Sequence, residues 1–303
     1  MTQTDWIAVD WGTSHLRAWL LDAGGTVLDH RSSAKGMGTL ERDGFEPALL
    51  DLVGDALTDG AITPVMVCGM AGSRQGWAEA PYAAVPCAPP TADAARLVGT
   101  NDPRLRVRIL PGVKQMHPAD VMRGEETQIA GFLSLNPGFE GVICLPGTHC
   151  KWAHISAGEI VSFRTFMTGE LFALLSKSSV LRHSIAASGW DDAAFAEACE
   201  DAMTRPAVFA GGLFGLRAEA LVGDLDPVTA RARLSGLLIG IEIGAAKPYW
   251  LGREVVLIGD DALVAPYRQA LQAQGCPVTL TDADRMTLQG LRAAHQSLKD
   301  PAQ

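Results

Sequence analysis

Short apolar runs alternate with segments of helical spacing along the whole chain. In the first part, Gly24-Gly25 is typical of a hairpin turn between two apolar runs. Apolar residues at helical spacing follow over Phe45–Leu57 and predict a helix. The other elements predicted here are strands at Trp6–Val9, Leu16–Leu21, Thr26–His30, Pro64–Cys68 and Val107–Leu110, and a helix at Glu125–Leu135.

A similar order of elements begins again after Asn136-Pro137-Gly138, which is typical of a linker. We therefore predict two domains, residues 1–136 and 137–303. Each is expected to contain three strands, a helix, a strand, a helix, a strand and a helix. The second also carries a helical insert over Asp191–Pro248, broken near Gly211-Gly212 and near Asp224–Pro227. Its other predicted elements are strands at Val142–Leu145, Lys151–Ile155, Ile160–Phe166, Val255–Ile258 and Val278–Leu280, and helices starting at Leu171, over Ala262–Gln274 and over Arg285–Ser297.

Each half opens with an apolar strand that ends in a Gly-Thr turn. Glycine lets backbone N–H groups approach a phosphate closely, and threonine adds a hydroxyl donor. A single such turn is more typical of a plain hairpin, whereas two at matching places favour phosphate binding. Asp10, just before the first turn, is a carboxylate suited to hold Mg²⁺ through water. The candidate phosphate contacts are Gly12, Thr13, Ser14, Gly147, Thr148 and His149.

Composition and charge narrow the range of partners. The chain of 303 residues is 48% apolar and 19% charged, which is typical of a globular protein with a sizeable core. A net charge of −9 disfavours nucleic acid as a partner, although it leaves room for a small anion. We expect a cytoplasmic protein without a membrane partner, because no apolar run is long enough to span a bilayer. The six cysteines are scattered, which predicts reduced thiols and no structural zinc. A homodimer is one option for the assembly.

Five sequence strings, in order, closely resemble the 2-dehydro-3-deoxygalactonokinase family. The resemblance runs from about Ile7 to about Leu291. It implies the fold of the actin, hexokinase and Hsp70 ATPases: two ribonuclease H-like α/β domains, each a mixed sheet with flanking helices, with a cleft between them. The five strings are Cys68–Tyr82, Pro111–Gln115, Asp120–Gln128, Leu145–Trp152 and Phe166–Phe172.

The resemblance also implies an activity. Members are ATP-dependent, Mg²⁺-dependent phosphotransferases that phosphorylate the 6-hydroxyl of 2-dehydro-3-deoxy-D-galactonate in galactonate and galactose catabolism. In the superfold a glycine-rich turn near the C-terminus contacts adenosine, and Gly259 and Asp260 occupy that place here, although with one glycine where many members have two. The alternatives are a kinase for another sugar or sugar acid, or a non-catalytic nucleotide-binding protein on the same fold.

The catalytic base is expected at the start of the helix that precedes the second turn. Glu125 and Glu126 both lie there, after Gly124. A helix N-terminus favours the ionised form of a carboxylate, which suits a base. Adjacent helical positions point about 100° apart, so only one of the two can face the acceptor hydroxyl. We favour Glu125 narrowly; the alternative is that the pair only enriches a first helical turn in acid.

An acidic substrate calls for a cationic or amide-rich site. Arg74 and Gln75 are the leading candidates, because their Gly-Ser-Arg-Gln-Gly loop follows a buried strand, where an open α/β sheet binds ligands. The alternative is that Arg74 is an ordinary solvated loop residue. Further candidates for substrate contacts are Lys114, Arg123 and Thr168.

Overall fold

The chain forms two compact units in the computed structural model, which describes residues 3–298. The first unit takes the chain up to Phe139, then Ile155–Ser162, then the chain from Ala283 onward. The second takes Glu140–His154 and Phe163–Asp282. The predicted domain boundary between residues 136 and 137 stays a prediction. The first compact unit contains two segments from the later part of the chain in addition to the N-terminal residues.

The first unit is built on a six-stranded sheet of order β3-β2-β1-β4-β7-β6. Strand β1 pairs antiparallel with β2 and parallel with β4, and β4 pairs parallel with β7. A second, three-stranded sheet has the order β5-β8-β9. The elements are β1 Trp6–Trp11, β2 Leu16–Leu21, β3 Val27–Ser33, α1 Phe45–Val53, β4 Thr63–Gly69, β5 Tyr82–Ala84, β6 Arg96–Leu97, β7 Leu105–Ile109, β8 Gly112–Met116, β9 Ala119–Met122 and α2 Glu125–Leu135.

The second unit is built on a five-stranded sheet of order β12-β11-β10-β13-β14, with β13 parallel to both β10 and β14. Helices α4, α5 and α6 form the expected insert. The elements that follow along the chain are β10 Gly141–Leu145, β11 Cys150–Ser156, β12 Glu159–Phe166, α3 Thr168–Lys177, α4 Asp192–Thr204, α5 Phe209–Val222, α6 Pro227–Ala245, α7 Lys247–Trp250, β13 Val255–Ile258, α8 Asp261–Ala273, β14 Val278–Thr281 and α9 Ala283–Ser297, the last of which belongs to the first unit.

The two large sheets share one topology. In each, the strands run in space as third, second, first and fourth, followed by β7 in the first sheet and β14 in the second, and the last three of these five are parallel. The first sheet adds β6, antiparallel to β7, at its edge. The carboxyl ends of parallel strands meet at one edge of a sheet, so each Gly-Thr turn lies at the edge where such sheets bind ligands. The structure thereby agrees with the duplicated unit that the two turns indicated.

Strand β1 is apolar except at Asp10 because both of its faces are covered. Ile7 and Val9 pack with Phe45 of α1 on one side of the sheet. Ala8 packs with Leu291 of α9 on the other side. Only Asp10 interrupts the buried run, at the end of the strand where the turn begins.

The break predicted near Gly211-Gly212 lies just before these two glycines, since α4 ends at Thr204 and α5 starts at Phe209. Both glycines lie inside α5, where apolar contacts of Leu213 and Leu216 offset the helix-weakening effect of glycine. One local prediction was wrong. The helix expected between β4 and β7 is absent from this described stretch, which instead holds short 3₁₀ turns and the strands β5 and β6. The break near Asp224–Pro227 is confirmed, because α5 ends at Val222 and α6 starts at Pro227.

No helix within residues 3–298 combines the length and the apolar character that crossing a membrane requires.

Candidate active site

The first Gly-Thr turn presents unused backbone donors to solvent. Thr13 and Ser14 are exposed, and across the described chain their N–H groups make no backbone hydrogen bond. The turn is held from behind, where Gly38 N–H donates to Thr13 O at 2.8 Å. A Cβ at Gly36 would lie 2.2 Å from the Ser14 carbonyl carbon, so only glycine fits against the turn. A fixed loop with free donors is able to bind an anion.

The second turn repeats this arrangement with different residues. Its three candidate N–H groups, those of Gly147, Thr148 and His149, likewise make no backbone hydrogen bond among the residues that the structure describes. A Cβ at Gly169 would lie 2.3 Å from Gly147 O, and Glu170 N–H donates to Thr148 O at 2.9 Å. His149 Nε2 bonds the Glu170 carboxylate at 2.6 Å, so this ring nitrogen is already used within the protein.

Asp10 lies in a cluster of charged groups at the end of β1. Arg17 Nη1 is 3.7 Å from Asp10 Oδ2 and also forms an ion pair with Asp284 of α9. The pKa of Asp10 is raised to about 6. Burial is the largest cause, Arg17 opposes it, and the carboxylates of Asp284 and Glu125 add to the rise. A cation placed here would relieve that repulsion. The corresponding position before the second turn is Leu145, so only the first turn carries such a carboxylate.

Two glycines bring the start of α2 against this strand end. Gly69 and Gly124 have φ values of +87° and +109°, which favour glycine. A Cβ at Gly69 would lie 2.7 Å from Trp11 O, and one at Gly124 would lie 3.4 Å from the Gly69 Cα. The first helical turn of α2 therefore starts next to the ends of β1 and β4.

The paired glutamates of α2 have different surroundings. Glu126 is 2% exposed, and its two carboxylate oxygens accept the Gly124 N–H at 2.7 and 2.9 Å. Burial, with the nearby Glu125 carboxylate, raises the pKa of Glu126 to about 7. Glu125 accepts the Arg123 N–H at 3.0 Å and is only partly buried. Glu125 is thus the more accessible of the two carboxylates.

Arg123 is held rigidly beside this helix start. Its guanidinium lies 4.2 Å above the Tyr82 ring, and Nη2 donates to Ala80 O at 2.8 Å. The Nη1 atom is buried without an acceptor among residues 3–298. Lys114 projects from the same face of the small sheet as Tyr82, because Tyr82 pairs with Gly112 and Ala84 with Lys114.

The leading candidates for acid binding, Arg74 and Gln75, are exposed side chains. The Arg74 side chain is 81% exposed, and its nearest carboxylate, that of Glu79, is 3.7 Å away. Gln75 is exposed on the same turn. Thr168 is buried at the start of α3, where its hydroxyl donates to the Glu242 carboxylate. That hydroxyl proton is therefore committed within the protein.

A cavity of about 360 Å³ in the second unit adjoins the second turn. Its wall includes Gly147 and Thr148 together with Trp190, Arg231 and Tyr267, and the Arg231 guanidinium lies 4.9 Å from the Phe172 ring. Gly259 and Asp260 line a separate depression with Thr281 and Asp282. A planar, partly apolar ligand group fits a wall of aromatic and guanidinium surfaces.

A family model described as 2-keto-3-deoxy-galactonokinase matches residues 10–294 of the chain. The chain belongs to this family. A Rhizobium meliloti (strain 1021) protein that carries the name 2-dehydro-3-deoxygalactonokinase DgoK1 is 41% identical over 96% of both chains. The 2-dehydro-3-deoxygalactonokinase of Escherichia coli (strain K12) is 37% identical over 95% of this chain and 96% of its own.

Solved structures agree with the galactonokinase family and its fold. A Sinorhizobium meliloti structure named as a 2-dehydro-3-deoxygalactonokinase superposes with a TM-score of 0.90 at 39% identity, covering 97% of this chain and 99% of that one. Component A of (R)-2-hydroxyglutaryl-CoA dehydratase from Acidaminococcus fermentans superposes with a TM-score of 0.53 at 16% identity, covering 97% and 98%. The latter likeness shows the fold alone. The actin and hexokinase type of ATPase fold that the sequence predicted is confirmed.

Several residues at the Asp10 cluster and in the cavity wall were not predicted from the sequence. Asp284 reaches Arg17 from 267 residues away, and no local pattern links the two. Trp190 lies just before the helical insert and Arg231 lies within it on α6, where aromatic and basic residues are typical of packing and surface. The one sequence signal for Trp190 is the Gly-Trp-Asp string that precedes α4 at Asp192.

Proposed function

We propose that this chain is an ATP-dependent kinase that transfers the γ-phosphoryl group to the 6-hydroxyl of 2-dehydro-3-deoxy-D-galactonate in galactonate catabolism. The product is 2-dehydro-3-deoxy-6-phospho-D-galactonate. The observation that carries the proposal is membership, over residues 10–294, of the galactonokinase family. A cytoplasmic location and a homodimer stay predictions.

The nucleotide phosphates are assigned to the two Gly-Thr turns. Each turn offers backbone N–H groups that bond to no backbone carbonyl within residues 3–298, at Thr13 and Ser14 in one and at Gly147, Thr148 and His149 in the other. Such donors suit phosphate oxygens, because glycine leaves the backbone open. The purine is assigned to the cavity lined by Trp190 and Arg231, which adjoins the second turn, with Gly259 and Asp260 as further candidates.

Asp10 is assigned to Mg²⁺. Oxygen ligands are what this ion prefers, and burial is the main cause of the raised pKa of Asp10, to which the carboxylates of Asp284 and Glu125 add. Arg17 is the one cation that ion-pairs with Asp10 in the described chain, and it is shared with Asp284. The residues present therefore fit the ion. When bound, Mg²⁺ neutralises charge on the phosphates of ATP.

Glu125 is assigned as the general base. Phosphoryl transfer to an alcohol needs a carboxylate that accepts the hydroxyl proton as the oxygen attacks. Glu125 meets the requirement of access better than Glu126, whose oxygens are occupied by the Gly124 N–H. Glu126 is assigned the role of fixing the start of α2.

The carboxylate of the sugar acid is assigned to a cationic group in the first unit. Arg123 is ranked first because it is already immobilised and has a buried Nη1 without an acceptor in the part of the chain described. Lys114 projects from the same sheet face as the Tyr82 ring beneath Arg123. Arg74 and Gln75 stay candidates that would have to be ordered by the substrate, which costs entropy.

A substrate panel tests the proposal. The purified chain is assayed with ATP and Mg²⁺ on 2-dehydro-3-deoxy-D-galactonate, its C4 epimer, an aldonate and a neutral hexose. We expect kcat/KM to be highest for the galactonate derivative and lowest for the hexose. Comparable rates on the hexose would overturn acid specificity, and no turnover on any sugar, with intact nucleotide binding, would favour the non-catalytic alternative.

A further inference from the structure

Glu242 of α6 is a buried carboxylate outside the residues assigned above to ATP, Mg²⁺ and the sugar acid. It is 1% exposed. Its hydrogen-bond partners are neutral groups: besides the Cys150 thiol, three N–H and O–H groups donate to it. Trp152 Nε1 and the Tyr267 hydroxyl donate to it at 2.7 Å each, and the Thr168 hydroxyl donates to its second oxygen together with Tyr267.

The three donors come from three separate elements around the cavity beside the second turn. Thr168 begins α3 and Tyr267 lies on α8, and both line the cavity wall. Trp152 lies on β11, the strand that leaves the second turn. One carboxylate thus links the strand after the turn to two walls of the cavity.

The link continues from Thr168 into the turn itself. The next residue, Gly169, packs directly against Gly147 O, and Glu170 N–H donates to Thr148 O. The position of the α3 start therefore sets the position of the turn. Fixing Thr168 from behind fixes both the cavity wall and the phosphate donors.

Burying an isolated carboxylate is costly unless hydrogen bonds satisfy it. Removing the acceptor would leave three buried donors without a partner, so the elements that carry them would shift. Burial raises the pKa of Glu242, while its hydrogen-bond donors oppose that rise. An amide at position 242 would present an N–H donor to side chains that are themselves donors. The cluster therefore requires a carboxylate at this position.

We propose that Glu242 is a positioning residue for the nucleotide, which sets the cavity wall and the second turn through Thr168, Tyr267 and Trp152. The inference rests on the proposed function, because it takes this cavity as the purine site. It predicts that Glu242 affects nucleotide affinity and leaves sugar-acid affinity unchanged.

The test compares Glu242→Gln with Glu219→Gln. The second variant removes an ion pair to Arg233, also on α6, away from the cavity. KM for MgATP, KM for the sugar acid, Kd for AMP-PNP and melting temperature are measured on each. For Glu242→Gln we expect a rise of about tenfold in KM for ATP and in Kd for AMP-PNP, the scale of one lost buried hydrogen bond, with KM for the sugar acid within about twofold. Glu219→Gln should leave all three constants unchanged.

A lower melting temperature with unchanged nucleotide constants, or equal changes in both KM values, would overturn the inference and leave Glu242 a purely structural residue. If Glu242→Gln does not fold, Tyr267→Phe removes a single donor and should raise Kd for AMP-PNP about threefold; an unchanged Kd contradicts the proposal. If the chain phosphorylates no sugar acid, the AMP-PNP measurement still decides the role of Glu242, because it needs no turnover.

Discussion

The carboxylate of Glu126 holds the backbone N–H of Gly124 between its two oxygens, at 2.7 and 2.9 Å. Gly124 is the residue that lets α2 start beside the ends of β1 and β4. Glu126 therefore fixes the beginning of the helix through its two carboxylate oxygens. The adjacent Glu125 is left partly exposed, close enough to Asp10 to raise the pKa of that carboxyl, and is the proposed base.

This division of roles predicts different effects of two matched substitutions. Glu125→Gln should lower kcat by at least about 100-fold, because general-base catalysis contributes about 10²–10⁴-fold. Its KM values should change little, since the amide keeps the shape. Glu126→Gln should lower kcat far less. Steady-state kinetics of both variants decide the question, and a larger loss in Glu126→Gln would reverse the assignment.

The stability of the protein should depend on pH through Glu126. Its pKa is raised from 4.5 to about 7 on folding, so the folded protein binds this proton more tightly than the unfolded chain. The contribution to stability is full below about pH 4.5 and is lost as the pH rises through 7. Asp10, with a pKa of about 6, acts in the same direction.

Glu126→Gln removes this titration and should therefore stabilise the protein at pH 8, by up to about 3 kcal/mol, and have little effect at pH 4. Chemical denaturation at both pH values measures the difference. Equal destabilisation at both values would mean that the hydrogen bonds to Gly124 matter more than the charge.

Much of the fold was predictable because its signals are local. The strands around each Gly-Thr turn are apolar runs bounded by glycine, and the matching order of elements indicated two related sheets. The small sheet β5-β8-β9 was not predicted, since its short strands include polar residues such as Lys114 and Gln115 and pair across distant parts of the chain.

The candidate site divides in the same way. The two turns and the glutamates at the start of α2 follow from short strings, so the sequence indicated them. The contact of Arg17 with Asp284 and the cavity wall at Trp190 depend on where α9 and the helical insert pack. Tertiary packing of that kind leaves no periodic pattern that a single sequence reveals.

Asp10→Asn should weaken the response to Mg²⁺. Loss of the carboxylate should raise the Mg²⁺ concentration for half-maximal activity by about tenfold or more, since one charged contact is worth about 1.5–3 kcal/mol. In the unchanged protein, the same concentration should be higher at pH 5.5 than at pH 7.5, because a proton competes for Asp10 below about 6. EDTA should abolish turnover.

The control for this substitution is Asp29→Asn, on β3 of the same sheet, where the carboxylate pairs with Arg31 at the surface. It should leave the Mg²⁺ response as it is. A normal response in Asp10→Asn would remove Asp10 from the metal site.

The acid-binding group is tested by Arg123→Lys and Arg74→Ala. Lysine keeps the charge of Arg123 but loses the planar guanidinium that stacks on Tyr82, so KM for the sugar acid should rise about tenfold. Arg74→Ala should raise it less, because that side chain is exposed and must be ordered on binding. Arg106→Ala, an exposed arginine on β7, is the control. A larger effect at Arg74 would place the carboxylate in its loop.

The most direct measurement identifies the product of the unmodified protein with ³¹P and ¹³C NMR after incubation with ATP, Mg²⁺ and 2-dehydro-3-deoxy-D-galactonate. We expect one phosphate monoester, at C6, formed with one equivalent of ADP. ADP released without a phosphorylated sugar acid, or a phosphate at another carbon, would contradict the proposed activity.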